Sequence, residues 1–364
     1  MNSGEIDLTS EKRSFWGAFT ERLSLGVGKE VALRQVLRAL TVRRVGNAFI
    51  NLLSFLLSAV TRRPIVWGRP IIVNIEPTNL CNLRCPLCIT GSGQMERPQG
   101  KLDVALGRRM IDEVADHAIY ITLYHQGEPY LHAAFNDLVA FAKSKRLYVT
   151  TSTNAHFFTP AAAEQVVRSG LDSMIISLDG VTQESYAKYR VRGNLETVLT
   201  GIRNLTEAKR RLSSRTPFLF LQFLVMKHNE GEIPQIRRLA KELGVDRLLI
   251  KTTQVMTAQE AEEWLPKDDK YRRYEVQADR LQVKRGRGVC PRLWLTTLMD
   301  WDGQIVPCCF DKNGEHAFGV LGSERSFGEI WRSKGYQDFR RRMLRNRNAI
   351  DICRNCNYGI GLFK

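Results

Sequence analysis

The sequence is poor in acidic residues. Asp and Glu together number 38 against 54 Lys and Arg, which leaves a formal net charge of +16 at pH 7. A surplus of this size favours an anionic partner, whether a phosphate-bearing substrate, a membrane surface or nucleic acid. No basic run is interleaved with aromatic residues in the manner of a base-stacking surface. Nucleic acid is therefore the least favoured of the three partners.

The sequence also lacks a recognisable targeting signal. Its first ten residues are polar, so no signal peptide is predicted. An apolar segment, AFINLLSFLLSAV, covers residues 48–60. Thirteen residues are too few for a helix to cross a bilayer core of about 30 Å. We expect a cytoplasmic protein in a reducing compartment, with peripheral contact at the inner face of the membrane as the alternative.

Arginines flank this apolar segment, two before it (Arg43 and Arg44) and two after it (Arg62 and Arg63). A helix of this kind can lie in a membrane interface with its arginines on headgroup phosphates. It can also pack across the catalytic domain or against a dimer partner. We expect packing, because short apolar helices of this length are more often buried than interfacial.

The chain is long enough for one large core and a smaller lobe, with 364 residues of which 43% are apolar. From residue 71 to residue 251, short β-rich runs alternate with amphipathic stretches, which predicts βα units and a parallel sheet. The predicted strands are Ile71–Ile75, Tyr120–Tyr124, Leu147–Ser152, Ser173–Leu178, Phe218–Val225 and Arg247–Lys251. Ligands collect at the carboxyl ends of parallel strands, so the residues that follow these runs are candidates for a site.

The eight cysteines occur in clusters, which favours metal binding over disulfides. Cys81, Cys85 and Cys88 follow the first predicted strand with the spacing C-x3-C-x2-C. Three thiolates on one short loop suit three irons of a cubane iron–sulfur cluster, and the fourth iron then keeps an open position. A zinc knuckle or three buried thiols is the alternative interpretation.

In this strand and its cysteine loop, the chain resembles the radical S-adenosylmethionine (SAM) superfamily. The resemblance implies a partial barrel of six βα units and a 4Fe-4S cluster that chelates SAM at its open iron. It also implies reductive cleavage of SAM to a 5′-deoxyadenosyl radical, with the electron supplied by a flavodoxin- or ferredoxin-type reductant. We expect four divisions of the chain. They are an N-terminal basic helical extension (1–69), the partial barrel (70–251), a helical linker (252–287) and a cysteine-rich auxiliary-cluster domain (288–364).

The same resemblance implies a set of SAM-binding residues. Gly127 and Glu128 match a motif that meets the SAM amino group, although Gln126 replaces the glycine often found before it. Ser177 and Arg190 correspond to residues that bind the SAM carboxylate, and an arginine fork suits a carboxylate because it donates two parallel hydrogen bonds. The remaining candidates are Asn154 beside the SAM pocket, Gln222 near the ribose, and Leu87 against the adenine, where many relatives have an aromatic residue.

A second group of cysteines lies near the C-terminus. Cys290, Gly303 and Cys308 match the C-x(9–15)-G-x4-C opening of auxiliary-cluster domains known as SPASM, and Cys353 and Cys356 follow as C-x2-C. The segment resembles the shorter form called a twitch domain, which implies one auxiliary 4Fe-4S cluster on these four cysteines. Four thiolates saturate such a cluster, so it suits electron transfer rather than substrate binding. A structural zinc site is the alternative.

Two further residues of this region are candidates for catalysis. Cys309 adjoins Cys308 and is either a small buried side chain, the cluster ligand in place of Cys308, or a hydrogen-atom donor to the substrate. Asp311 is the candidate base that takes a proton from a substrate radical, because related dehydrogenating enzymes need such a group near the auxiliary cluster.

These features together predict a radical SAM oxidoreductase. We expect it to dehydrogenate a small-molecule, peptide or lipid-linked substrate, with the auxiliary cluster as the electron acceptor. Modification of a ribosomally made peptide is the second outcome, although nothing in the sequence resembles the winged-helix domain that binds such peptides. A lipidic substrate is the third. A non-enzymatic iron–sulfur electron carrier is the alternative from a different class, and it would need no SAM pocket.

Overall fold

The computed structural model describes residues 4–7, 31–277, 280–284, 288–354 and 356–358. Residues 8–30 of the expected N-terminal extension, 285–287 of the linker and 359–364 of the auxiliary domain lie outside the described residues. Contacts divide the chain into two compact units. The first takes its described residues from Met1–Gln35, Cys81–Gln94 and Thr150–Gln282, and the second from Val36–Leu80, Met95–Val149 and Val283–Lys364.

The fold is α/β with mostly parallel strands, as predicted. The strands are β1 Gly4–Asp7, β2 Ile72–Ile75, β3 Tyr120–Thr122, β4 Tyr148–Thr153, β5 Ser173–Ser177, β6 Phe218–Val225, β7 Arg247–Thr252, β8 Tyr274–Gln277, β9 Arg280–Val283, β10 Thr296–Met299, β11 Gln304–Val306 and β12 Gly319–Val320. The six predicted strands are confirmed as β2 to β7, each within two residues of its expected bounds.

The helices connect these strands and cover the sheets. They are α1 Val31–Ala39, α2 Val42–Thr61, α3 Ile89–Ser92, α4 Val104–Val114, α5 Phe135–Ser144, α6 Pro160–Arg168, α7 Gln183–Tyr189, α8 Leu195–Arg211, α9 Ile233–Glu242, α10 Ala258–Trp264, α11 Arg292–Leu295, α12 Phe327–Trp331, α13 Lys334–Arg345 and α14 Asp351–Arg354. Thr, Ser, Asp or Asn caps the start of seven of the longer helices, so polar side chains satisfy amides that no helical turn can pair.

Parallel strands form the core of the first unit. Strand β5 pairs with β4 on one side and with β6 on the other, and β6 pairs with β7. Every residue of β5 is buried, and β6 reads FLFLQFLV. Such near-continuous apolar runs are typical of parallel strands that are covered on both faces. The register sets Ser177 of β5 beside Gln222 of β6.

The second unit combines parallel and antiparallel pairing. Strand β2 lies between β3 and β10 and runs parallel to both, whereas β10, β11 and β12 form an antiparallel meander. The sequence analysis did not predict β10, whose four residues lie among the C-terminal cysteines. Its register pairs Ile75 with Met299, so Glu76 and Asp300 both follow the end of this strand pair.

Two expectations about connecting segments need correction. The linker expected to be helical contains α10, but its later part forms the paired strands β8 and β9, which suits the alternation of Tyr274–Gln277. The apolar segment 48–60 belongs to a longer helix, α2, of 20 residues, because Thr41 caps the chain before the flanking arginines. Length alone therefore does not prevent α2 from crossing a bilayer.

Candidate active site and iron–sulfur centres

The first cysteine loop is a tight turn that leads into α3. Cys85 is buried, whereas Cys81 and Cys88 are half-buried. The Cys88 amide donates to the Cys85 carbonyl at 3.1 Å. Gly91 lies against this turn, and a Cβ at this position would approach the Cys85 backbone nitrogen to 2.5 Å. The loop geometry thus depends on a glycine that the spacing of the cysteines does not reveal.

Nitrogen donors surround the sulfurs of this loop. The Leu83 amide donates to Cys81 Sγ at 3.4 Å, and Arg190 Nη1 donates to Cys85 Sγ at 3.8 Å. Burial raises the pKa of the Cys85 thiol, and the Arg190 charge acts in the opposite direction. Hydrogen bonds to sulfur stabilise thiolate and tune a bound metal centre. The donor set therefore fits a soft metal cluster held by three thiolates.

Arg190 is held in place by a carboxylate that the sequence analysis did not select. Its Nε and Nη2 atoms donate to Asp179 Oδ2 at 2.6 and 2.5 Å. Burial opposes the Arg190 charge, yet Asp179 keeps the Arg190 pKa well above its ordinary value. The other Asp179 oxygen accepts the Leu224 amide of β6 at 2.8 Å. The sequence did contain a signal that could have identified Asp179. This residue lies two positions after Ser177, just beyond the end of β5, and directly before a glycine.

The other candidates in the first unit lie at strand ends or on the cysteine loop. Asn154 donates to Asn82 Oδ1 at 2.8 Å, and its Nδ2 is 4.0 Å from Cys81 Sγ. Ser177 is buried and is the register partner of half-buried Gln222. Leu87 is half-buried on the loop itself. The structure thus places Asn154 in contact with the Cys81 sulfur and Arg190 in contact with the Cys85 sulfur. Ser177 and Gln222 lie beside each other on neighbouring strands.

Gly127 and Glu128 belong to the second unit. Gly127 has φ +71°, and a Cβ there would lie 2.6 Å from the carbonyl oxygens of both Thr78 and Leu80. The Glu128 amide donates to the Leu80 carbonyl at 2.7 Å, and its side chain accepts the Tyr130 amide. Because Leu80 immediately precedes Cys81 in the sequence, this turn is fastened to the chain that enters the cysteine loop. A glycine is required at position 127 on both conformational and steric grounds.

The four C-terminal cysteines lie close to one another. A charge on Cys290 raises the pKa of the thiols of Cys308, Cys353 and Cys356, although burial is the larger cause in each case. Among the described residues, no three cysteine sulfurs lie within 4.8 Å of one another. Four thiols in one neighbourhood can hold either a zinc ion or an iron–sulfur cluster.

Cys309 occupies a different environment from Cys308. It is exposed, and its sulfur accepts a hydrogen bond from Arg292 Nη1 at 3.0 Å. The Arg292 guanidinium also stacks on the Tyr358 ring at 3.5 Å. Burial and the neighbouring Cys309 and Tyr358 raise the pKa of Tyr124 to about 12. Cys309 therefore lies among polar and aromatic side chains, and Cys308 as the fourth ligand stays a prediction.

The described contacts of Asp311 are those of a residue that holds a loop. Its two carboxylate oxygens accept the amides of Glu315 and His316 at 2.9 and 3.0 Å. Burial raises the Asp311 pKa, and these amides partly offset the effect. A carboxylate used in this way has less capacity to accept a proton from a substrate. Its predicted catalytic role stays a prediction.

A buried cluster in the same unit was missed by the sequence analysis. Carboxylate oxygens of Glu76 and Asp300 and a ring nitrogen of His125 lie within 4.8 Å of one another. Arg97 binds both Glu76 oxygens, at 2.7 and 2.5 Å. Among the described residues, no hydrogen-bond partner reaches either Asp300 oxygen or His125 Nε2. Arg97 Nη2 comes to 3.7 Å from Asp300.

Burial sets the protonation of this cluster. It raises the Asp300 pKa to about 8, with the Glu76 charge as the next cause, and it lowers the His125 pKa to about 4. A carboxyl group that titrates near neutral pH is suited to proton transfer. The residues come together only because β10 pairs with β2, a connection that no local motif could predict.

Comparison with known protein families identifies the chain. A sequence profile of the Radical SAM superfamily matches residues 75–240, and one for SPASM, an iron-sulfur cluster-binding domain, matches residues 290–357. The chain belongs to the radical SAM superfamily and carries a SPASM domain. The cofactors of this radical SAM enzyme are therefore SAM, a 4Fe-4S cluster bound with it, and an auxiliary iron–sulfur cluster.

Individual relatives agree with this assignment. The tungsten-containing aldehyde ferredoxin oxidoreductase cofactor-modifying protein of Pyrococcus furiosus is 23% identical over 321 residues, which is 78% of this chain and 86% of that protein. The pre-heme d1 synthase of Dinoroseobacter shibae is 30% identical over 186 residues, 50% of this chain but only 43% of that protein. SuiB of Streptococcus suis, solved with bound SAM, superposes with a TM-score of 0.59 at 12% identity, over 95% of this chain and 84% of SuiB. The last likeness shows the fold alone.

Proposed function

We propose that this radical SAM enzyme dehydrogenates its substrate. The observation that carries the proposal is the presence of two cysteine sets of different size, three thiols on one loop and four in the SPASM domain. Cys81, Cys85 and Cys88 would hold the cluster at which SAM is cleaved, and Cys290, Cys308, Cys353 and Cys356 the auxiliary cluster; together the two clusters would supply the redox chemistry of the reaction. A two-electron oxidation would then remove from the substrate one hydrogen atom, taken up by the SAM-derived radical, one proton, taken up by a base of this chain, and one electron, taken up by the auxiliary cluster.

The protein's own contribution begins with Arg190. Its guanidinium is fixed by Asp179, and its Nη1 edge points at the cysteine loop. A pre-oriented arginine binds a carboxylate such as that of SAM without losing side-chain freedom, which helps to hold SAM where its cleavage is productive. Asp179 acts as the positioning residue in this arrangement.

For the base we favour Asp300 over Asp311. Both are buried, but the Asp311 oxygens accept backbone amides, whereas the Asp300 oxygens have no hydrogen-bond partner among the described residues. The raised pKa of Asp300 also matches proton transfer near neutral pH. Neighbouring His125 is neutral at that pH, since burial lowers its pKa to about 4.

Peptide modification is the second candidate function. The observation in its favour is the solved complex of SuiB with its precursor peptide SuiA, with a TM-score of 0.58 to this chain. A peptide substrate would undergo the same hydrogen abstraction but could form a new bond instead of losing a second electron. Incubation with candidate peptides and mass spectrometry separates the two, since dehydrogenation lowers the mass by about two units and epimerisation leaves it unchanged.

The test of the proposed function is anaerobic reconstitution of the full chain with iron and sulfide. We expect about eight irons per chain, four for each cubane cluster, and 5′-deoxyadenosine from SAM when dithionite supplies electrons. A variant with alanine at Cys81, Cys85 and Cys88 should make none, and Arg168→Lys, which alters an exposed ion pair, should match the wild type. Undiminished 5′-deoxyadenosine from the triple-alanine variant would overturn the proposal.

A further inference from the structure

Helix α2 turns small polar side chains, together with Phe55 and Ala59, towards the protein and most of its large apolar side chains towards solvent. The buried positions include Asn51, Ser54 and Ser58. The exposed large apolar side chains are Val42, Val45, Phe49, Ile50, Leu53, Leu56 and Val60, with 36% to 93% of their surface accessible. Helices on the surface of a globular protein normally show the opposite arrangement.

Hydrogen bonds on the inner face fix this orientation. Asn51 Nδ2 donates to the carbonyls of Arg69 and Trp294 at 2.7 and 2.6 Å. Ser58 Oγ donates to the Ile65 carbonyl at 3.0 Å, and Ser54 Oγ accepts the Trp67 amide at 3.1 Å. Rotation of α2 to bury its apolar face would break all of these bonds, at a cost for each buried polar group left without a partner.

Arg44 fastens the start of the helix in the same way. Its guanidinium is buried and donates to four backbone carbonyls, those of Ala39, Ala115, Lys145 and Arg146. The helix is therefore an integral part of the second unit and not a loosely attached arm.

The outer face forms one continuous stripe. Most of its members recur every three or four residues from Val42 to Val60, which places them on one side of a helix about 30 Å long. Trp67 extends the stripe past the C-terminal end of the helix with 55% of its surface exposed. Exposed apolar surface of this extent marks an interaction site rather than ordinary scatter.

The charges around the stripe are all of one sign in the sequence. No Asp or Glu occurs from Val31 to Ile75. The same stretch contains seven arginines: Arg34, Arg38, Arg43, Arg44, Arg62, Arg63 and Arg69. Exposed Arg43 lies at the N-terminal end of the stripe and exposed Arg62 and Arg63 at the other, although Arg43 also pairs with Asp116. Charge complementarity selects an anionic surface as the occupant.

We propose that α2 docks on an anionic lipid bilayer and lies parallel to its plane. The apolar stripe enters the boundary between headgroups and acyl chains, Trp67 lies at the headgroup level, and the flanking arginines bind lipid phosphates. The helix has the length and composition of a membrane span, but a third of its apolar stretch is buried inside the protein. A helix that spans a bilayer exposes no polar face to lipid. The polar inner face of α2, which is hydrogen-bonded to the rest of the unit, therefore favours a position parallel to the membrane plane.

Membrane docking is independent of the proposed dehydrogenation. Its test therefore does not require a catalytically active enzyme. Full-length protein is mixed with vesicles of phosphatidylcholine alone or with about 30% phosphatidylglycerol, and bound protein is measured by flotation. We expect binding to the anionic vesicles only, with a loss at high salt as the arginine contribution is screened.

Two variants separate the apolar and the charged contributions. Phe49→Gln with Leu53→Gln should weaken vesicle binding about tenfold or more, because two apolar side chains no longer enter the bilayer. Arg62→Gln with Arg63→Gln should abolish the preference for anionic lipid. Met256→Gln is the matched control, since Met256 is 57% exposed and lies outside the stripe. All variants should keep the wild-type melting temperature and rate of 5′-deoxyadenosine formation.

Three outcomes would overturn the proposal. Wild-type protein that ignores anionic vesicles at low salt, and is monomeric by light scattering, has no membrane-docking helix. Wild-type protein that ignores the vesicles but forms a dimer, which the Phe49→Gln and Leu53→Gln variant dissociates, uses the stripe to bind a second copy of the chain. Unchanged vesicle binding by the apolar variant would likewise exclude α2 as the docking element.

Discussion

The two cysteine sites of this enzyme are built in opposite ways. The first draws Cys81, Cys85 and Cys88 from one turn, whereas the second gathers its ligands from Cys290 to Cys356. The first depends on local geometry, with Gly91 pressed on the Cys85 backbone. The second depends on the packing of the SPASM domain. Three thiols leave one iron of a cubane cluster without a protein ligand, and four thiols would saturate it.

The arginines beside the two sites sharpen this contrast. Arg190 donates to a predicted ligand sulfur, Cys85, while its other edge is fixed by Asp179. Arg292 instead donates to Cys309, which is exposed and adjoins the predicted ligand Cys308. We predict a role in SAM binding for Arg190, whereas the described contacts of Arg292 are with Cys309 and the Tyr358 ring.

Removal of one ligand from each site gives the largest expected effect. Cys85→Ala should abolish 5′-deoxyadenosine formation, because the cluster that binds SAM loses one of three ligands. Cys356→Ala should lower the iron content but leave SAM cleavage in place when dithionite supplies the electron. Iron analysis and product chromatography measure both. Equal loss of cleavage in the two variants would mean that the sites do not function separately.

Gly91→Ala tests whether the first site is local. The new Cβ would lie 2.5 Å from the Cys85 backbone nitrogen, so the loop must shift, with a destabilisation of about 1 to 3 kcal/mol. We expect incomplete iron loading at this site alone. Gly335→Ala in α13 is the control, because no atom lies within 4 Å of its added Cβ. Normal loading of Gly91→Ala would show that the loop adapts.

Asp179→Asn tests the positioning of Arg190. The variant keeps the shape of the side chain but removes the charge that holds the guanidinium, so 5′-deoxyadenosine formation should fall by about 10- to 100-fold. The iron content should stay at the wild-type level. The electron paramagnetic resonance signal of the reduced cluster should respond less to SAM than in the wild type. An unaltered response to SAM would contradict a positioning role.

Asp300→Asn removes the proposed base and should also change stability in a way that depends on pH. Burial raises the Asp300 pKa from 3.8 to about 8, so its contribution to stability is present below pH 3.8 and is lost as the pH rises through 8. The asparagine variant should therefore melt above the wild type by an amount that grows from pH 5 to pH 8 and then levels off. Asp338→Asn, at an exposed position, serves as the control. A difference that is constant with pH would mean that Asp300 is not the titrating group.

The sequence predicted those features of the molecule that are encoded in short stretches of the chain. Strands β2 to β7 carry apolar runs, and the first cysteine loop carries its own spacing, so both could be read from short windows. The pairing of Asp179 with Arg190 required knowledge of where the chain goes after β5. The Glu76, His125 and Asp300 cluster required the pairing of β2 with β10, which joins residues more than 200 positions apart.

Helix α2 shows how a local signal can mislead. The apolar segment 48–60 predicted a buried helix, because apolar side chains usually face a core. The structure packs the helix through buried Phe55, which contacts the Trp294 ring, and through asparagine and serine side chains that bond to backbone carbonyls. The periodicity of these small polar residues was present in the sequence. Its meaning depended on tertiary partners such as Trp294, far along the chain.

The long separation of the C-terminal cysteines has a consequence for chain entropy. Between Cys308 and Cys353 lie 44 residues, including α12 and α13. Binding of both thiols to one cluster closes this segment into a loop, as a disulfide would, and by the disulfide relation removes about 4 kcal/mol of freedom from the unfolded chain. The SPASM cysteines can thus act as a reversible crosslink, one that forms only where iron and sulfide are supplied.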